Sequence, residues 1–139
     1  MSILTKDVTR VYELGDINEL PVAAGELIYQ GAVIGYNSSG YVRNLNVTDN
    51  FAGFAEDHID NSTGLDGAKR IRIRKRGSIL LEITGITLTD LGRAVYATNN
   101  NSFTLSPTNA VYIGQISKIE DSGLAVVEFA FYPLVTGQQ

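Results

Sequence analysis

Short runs rich in β-branched and aromatic residues recur along this chain: "YVRNL", "RIRIRKR", "SILLEIT", "RAVYAT", "SFTLS", "AVYIGQI" and "GLAVVEFAFY". Between them lie the clusters "NSSG", "NLNVTDN", "DNSTGLDG", "ATNNN" and "SPTN", whose Asn, Ser, Gly and Pro are the residues that turns require. Many short strands with turn signals at close spacing predict an all-β domain, a sandwich or a barrel. Alternation supports the individual strands. In "SILLEIT" the apolar Ile79, Leu81 and Ile83 share one face and Ser78, Glu82 and Thr84 the other; in "AVVEFAF" Ala125, Val127, Phe129 and Phe131 lie opposite Glu128. The one helical expectation is a turn in "TLTDLGRA", capped by Thr89 or Asp90.

The 139 residues, 44 % of them hydrophobic, suit one β-domain over 21–139 preceded by an N-terminal arm over 1–20. The arm mixes charges with scattered apolar residues and reads either as a segment that pairs with a neighbour, through Val8, Arg10, Val11 and Tyr12, or as an edge strand. Its start has no apolar stretch of signal-peptide length, and no run approaches the roughly 20 apolar residues of a membrane helix, so a soluble cytoplasmic product without a membrane partner is expected. A faint internal repeat joins 32–55 to 94–116, matching Val33 to Val95, Tyr41 to Phe103 and, after a one-residue slip, Gly53 to Gly114. Two ordinary hairpins would look alike in this way; so would the halves of a pseudo-symmetric barrel.

Charge is distributed unevenly. "KRIRIRKR" holds six of the eleven basic residues, leaving five against fifteen acidic residues elsewhere. On a strand, Arg70, Arg72, Arg74 and Arg76 line one face and Ile71 and Ile73 the other. Such a strand serves as a charged edge that discourages aggregation. Its planar guanidinium groups also suit carboxylates or phosphates. The acidic remainder repels a polyanion, so an acidic protein surface or a sister subunit is favoured over phosphate, and no specific nucleic-acid partner is expected.

Catalytic chemistry finds little support. The absence of cysteine removes thiolate chemistry. His58 stands alone, with Asp57 and Asp60 beside it, short of the usual zinc ligand set and without calcium-loop spacing. No glycine-rich phosphate motif follows a strand. No catalytic residue, metal or cofactor is therefore assigned, and a non-enzymatic role is expected. Tyr29, Tyr36, Tyr41, Tyr96, Tyr112 and Tyr132 would make a carbohydrate platform if several faced solvent, but most fall inside strand patterns that favour core or interface positions.

Three stretches together resemble the decoration (cement) proteins of tailed-phage heads: "LPVAAGELIYQGAVIGYNSSGYVRNL", "FAGFAEDHIDNSTGLDGAKRIRIRKRGSILLEI", and "DLGRAVYATNNNSFTLSPTNAVYIGQI" followed by "AVVEFAF". They cover about residues 19–132. The resemblance implies a small β-barrel or β-tulip-like domain with an extended N-terminal arm. It also implies a homotrimer on the outer capsid surface of the virion, with the major capsid (coat) protein as partner. Stabilisation of the shell against internal pressure would be its function. The arginine run is a departure from the family pattern, and its role is inferred locally. A tail or tube structural protein and a carbohydrate-binding β-module are the rival readings.

Overall fold

The computed structural model describes residues 3, 5–7, 9–10 and 15–131. Twelve strands follow in order: β1 (Ile17–Pro21), β2 (Glu26–Ile28), β3 (Val33–Tyr36), β4 (Val42–Asn44), β5 (Asn50–Ala55), β6 (Ile59–Asn61), β7 (Arg70–Arg74), β8 (Arg76–Glu82), β9 (Ala94–Ala97), β10 (Phe103–Thr104), β11 (Val111–Asp121) and β12 (Leu124–Ala130). The expected turn is a single 3-10 turn, Leu88–Asp90, entered from Thr87 rather than Thr89, with Asp90 Oδ2 accepting from the Thr87 N–H at 2.9 Å.

The all-β expectation holds. The strands form one sheet in the order β1-β7-β5-β3-β4, a second in the order β10-β9-β11-β12-β8, and a ribbon of β2 with β6. Among the described residues none of these closes on itself: two open stacked sheets fit the sandwich of the two architectures the strand pattern allowed, not the barrel or tulip that the resemblance implied. β1 begins at Ile17, which makes the last residues of the expected arm a strand of the domain, held against β7 from Ile17↔Arg74 to Pro21↔Arg70.

The two sheets are copies of one design. Read from the other end, the second sheet is β8-β12-β11-β9-β10, which matches β1-β7-β5-β3-β4 position by position. Ile34 faces Gly53 and Gly35 faces Phe51, so Ala52 is skipped; Val95 faces Gly114 and Tyr96 faces Tyr112, so Ile113 is skipped. On β3 and β5 each counterpart lies 61 positions on, from Ile34 to Val95 and from Gly53 to Gly114, whereas on β7 it lies 54 on, from Ile71 to Ala125. The shift of 61 carries β1 to β8: Ile17 faces Arg74 while Ser78 faces Glu128, and Leu20 faces Ile71 while Leu81 faces Ala125. Loop bonds repeat as well. Gly31 N donates to Ala55 O and Gly92 N to Ile116 O, both at 2.9 Å; Asn37 N donates to Tyr41 O at 3.0 Å and Thr98 N to Ser102 O at 2.9 Å.

The internal repeat is therefore present, with one correction. Val95 answers Ile34 rather than Val33, and Phe103 answers Val42 rather than Tyr41, without any slip before the glycines. A slip of one residue turns every side chain to the opposite face, so the corrected offset is the one that keeps apolar faces matched.

Both repeated glycines have a steric reason. A Cβ at Gly53, whose φ is +139°, would lie 2.3 Å from Arg74 O, and one at Gly114 would lie 2.1 Å from Glu128 O. Each bulge brings a neighbouring backbone into the space of a side chain.

The core has two layers. On one face of the first sheet Ile34, Val42, Ala52, Ile71 and Ile73 pack with Val22 and Ile28, and the β2–β6 ribbon covers them. The opposite face presents Val33, Phe51 and Phe54 to Val95, Ile113, Ala125, Val127 and Phe129 of the second sheet, with the Phe54 and Phe129 rings 4.8 Å apart at 73°. Val95, Ile113, Ala125 and Val127 are the counterparts of Ile34, Ala52, Ile71 and Ile73, so both sheets use the same face as their buried one. The second sheet sits on the back of the first. Sandwiched on two sides, β5 reads "FAGFA" with five consecutive buried residues, whereas β8 and β12, covered on one side, alternate.

Candidate assembly surface

The arginine run does not form one continuous strand in one sheet. Arg70, Arg72 and Arg74 belong to β7 of the first sheet, Arg76 opens β8 of the second, and Lys75 is the crossing point. There Lys75 N donates to Asp16 O and Phe131 N donates to Lys75 O, both at 2.8 Å, while the Lys75 ammonium sits 5.6 Å from the Phe131 ring centre. Ile71 and Ile73 are fully buried, as the alternation predicts.

The acidic counterpart that this charge demands is supplied in large part by the chain itself. Arg72 pairs with Asp57 at 2.7 Å, Arg74 with Glu56 at 2.8 Å and Arg76 with Asp16 at 3.2 Å. The Arg72 side chain and its backbone N–H hold the Asp57 carboxyl below its ordinary value. Arg70 differs: its Nη2 donates to the carbonyl of Glu19 at 2.9 Å. Among the described residues no carboxylate lies within ion-pair distance of it. Arg10 is exposed and outside any strand, and Val8, Val11 and Tyr12 lie outside the described residues.

Sequence reasoning missed the ion pair with the least access to water. Asp49, with 1 % of its side chain exposed, accepts from Arg43 Nη2 at 2.7 Å and Nε at 3.0 Å, and from the Asn46 N–H at 3.0 Å. Gly35 leaves room for it, since a Cβ there would lie 2.7 Å from the Asp49 Cβ. The six-residue spacing of Arg43, on β4, and Asp49, at the end of the loop that leads to β5, was its only signal.

His58 and its acidic neighbours point in separate directions. Asp57 serves Arg72, Asp60 Oδ1 accepts the Ser62 hydroxyl at 2.5 Å, which lowers its pKa, and the His58 ring leans on Tyr29 at 5.3 Å between centroids. Among the described residues no three His, Asp or Glu side chains converge as metal ligands. Tyr29 is 59 % exposed, next to a groove lined by Gln30, Asn100 and Asn101. Tyr36, Tyr41, Tyr96 and Tyr112 are half-buried in or beside strands, and Tyr132 lies outside the described residues. Burial and the facing Tyr96 raise the pKa of Tyr112.

Apolar side chains stand out from rigid supports. Leu88 (72 % exposed) and Leu91 (55 %) project from the 3-10 turn, whose Asp90 also receives Arg93 at 3.2 Å. The Thr87 backbone N–H and Arg93 keep the Asp90 carboxyl below its ordinary value. Leu65 is 79 % exposed on a loop pinned by buried Asn61, whose Nδ2 donates to Ala23 O and Leu65 O. Leu80, at 54 %, lies on β8 at the end of the second sheet.

Comparison with known proteins supplies no relative: no protein-family model matches the chain, and no curated protein matches it significantly.

Proposed function

We propose that the chain is a structural phage-head protein that binds the outer capsid surface as a trimer and stabilises the shell. The observation that carries this reading is the set of exposed leucines on fixed supports, Leu88 and Leu91 on a capped turn and Leu65 on a pinned loop. Exposed apolar side chains on a backbone tied by hydrogen bonds lose less freedom on docking than those on an untied loop, which favours protein contact. The resemblance of residues 19–132 to decoration proteins names the surface as a capsid lattice.

The mechanism is mechanical. A trimer that engages several coat subunits at once turns each later contact into an intramolecular event, so weak contacts sum to a firm clamp. Arg70 supplies the electrostatic part, because Arg72, Arg74 and Arg76 already share their charge with Asp57, Glu56 and Asp16.

The test is co-sedimentation of the purified protein with expanded heads that lack decoration, at low and high salt. Saturable binding in multiples of three per lattice site supports the reading, and weakening by salt assigns a share to Arg70. No binding at either salt overturns it, and rings or tubes in place of trimers would point to a tail protein.

A second reading has its own observation. The exposed Tyr29 ring beside the amides of Gln30, Asn100 and Asn101 offers an aromatic face and planar hydrogen-bonding groups, the pair of features a sugar ring requires. Titration with neutral oligosaccharides followed by the Tyr29 side-chain resonances tests it; unchanged spectra at millimolar sugar dismiss it.

A further inference from the structure

The groove beside Tyr29 holds one hydrogen-bonding group whose direction is dictated from behind. Glu26 Oε1 accepts from the backbone N–H of Asn44 at 2.9 Å and from its Nδ2 at 3.1 Å, and the Leu27 carbonyl accepts from the same Nδ2 at 2.9 Å. Two acceptors on that side require the amide nitrogen of Asn44 there, since its oxygen would face oxygen. Asn44 Oδ1 is therefore turned the other way, where it accepts from Asn100 Nδ2 at 2.9 Å. This orients Asn100 in turn: its nitrogen is engaged with Asn44, and its own Oδ1 is left over. Among the described residues no donor reaches that oxygen, and Asn61 Oδ1 is the one buried side-chain acceptor without a partner, so Asn100 Oδ1 is open to solvent.

Both walls of the groove are tied. Asn100 O accepts from Val33 N at 2.9 Å, and Asn101 N donates to Asn99 Oδ1 at 2.8 Å. On the Tyr29 side, Ala32 N donates to Tyr29 O at 3.1 Å and Gly31 N to Ala55 O at 2.9 Å, while His58 backs the Tyr29 ring. The groove measures about 460 Å³, within the roughly 300–1,000 Å³ of small-ligand sites, and none of its lining side chains carries a formal charge. The fold itself does not demand the relay. At the repeat position of Asn44, 61 residues on, stands Leu105, which packs against the core.

We propose that Glu26 and Asn44 are positioning residues that hold the Asn100 side-chain oxygen outward, so that the groove takes a neutral ring with a hydroxyl to donate to Asn100 and an apolar face to lie on Tyr29. A pyranose has both. The inference rests on the carbohydrate reading of this groove given above, and adds which atom anchors the sugar and what aims that atom.

The test is an NMR titration of the isotope-labelled full chain with methyl glucoside, methyl galactoside and chitobiose, preceded by hydrogen exchange of the side-chain amides without sugar. Before any sugar is added, the Asn100 amide protons should exchange several-fold more slowly than those of exposed Asn101, and should lose that protection in Glu26→Ala. With sugar, saturable shifts are expected at Asn100 and Tyr29. Affinity should fall about fivefold or more in Asn100→Ala and in Glu26→Ala, the scale of one net hydrogen bond, and return in Glu26→Gln, whose Oε1 still accepts. Binding that Glu26→Ala leaves unchanged overturns the positioning role and spares the carbohydrate reading. Unprotected Asn100 protons in the unaltered protein overturn the relay without recourse to any variant, whether or not Glu26→Ala folds. Failure of every sugar to shift a resonance overturns the carbohydrate reading and the proposal with it.

Discussion

Arg72 grips Asp57 by three hydrogen bonds: Nη2 to Oδ1 at 2.7 Å, Nε to Oδ2 at 3.1 Å, and its own backbone N–H to Oδ2 at 3.1 Å. Glu56, one residue earlier, accepts a single bond from Arg74, Nε to Oε2 at 2.8 Å. The two carboxylates follow directly on β5, where its ladder with β7 has run for only two pairs, Phe54↔Arg74 and Ala55↔Ile73. One further backbone bond follows, Glu56 N to Arg72 O at 2.9 Å, and the two side-chain pairs reinforce the connection where the ladder ends.

This tie is sensitive to acid. Asp57 titrates lower in the folded protein than in the unfolded chain, so its contribution is complete above the ordinary value of 3.8 and is lost as the pH falls through that value toward the folded one. Asp57→Asn should cost about 0.5–1 kcal/mol at pH 7, the scale of an exposed pair, and should flatten the acid limb of stability. Urea unfolding at pH 7 and pH 3 measures both; an acid slope equal to that of the unaltered protein would contradict the assignment.

A larger loss is expected at Asp49. Asp49→Ala strands the Arg43 guanidinium and the Asn46 N–H, and the destabilisation should be roughly 2–4 kcal/mol, moderated because Arg43 retains access to water. Chemical denaturation gives the number, and a loss below about 1 kcal/mol would mean that water replaces the carboxylate without difficulty.

The repeated glycines separate two kinds of requirement. Gly53→Ala and Gly114→Ala place a methyl group against a backbone oxygen and should each cost at least roughly 3 kcal/mol. Gly31→Ala and Gly92→Ala have open space around them and only the strain of φ near +90°, about 1–2 kcal/mol. Equal losses in all four variants would remove the steric explanation of the bulges.

Leu88→Ser with Leu91→Ser should leave the midpoint of thermal unfolding nearly unchanged, because both side chains are already in water. Head binding in the sedimentation assay should fall about tenfold or more if these leucines enter the coat surface, a loss of about 1.4 kcal/mol. Undiminished binding would take the 3-10 turn out of the contact.

Much of this architecture was legible from the chain. Period-two alternation marked β8 and β12 because each has one wet face, and the "RIRIR" pattern placed Ile71 and Ile73 inside correctly. Alternation fixes a face but not a neighbour. The carboxylates that answer the arginines come from positions 15, 18 and 60 residues away, and the passage of the ribbon between sheets at Lys75 leaves no local mark. The repeat was visible but displaced by one position, since Val33 stands beside Ile34 and Tyr41 beside Val42 and either member of such a pair offers an apolar match; Gly31 with Gly92 and Gly53 with Gly114 carry the true offset. Leu80, Leu88 and Leu91 were not singled out in the sequence, because exposure is a property of what fails to pack on them.

Two like units packed front to back, rather than front to front, give the molecule a direction. Front-to-front halves would satisfy one another and leave nothing to extend. Among the described residues, no further sheet covers the outer face of the second sheet around Leu80, Tyr96, Tyr112 and Val126, whereas the β2–β6 ribbon occupies the front of the first. The ribbon thus caps the stack at one end, and the two ends of the molecule present different surfaces.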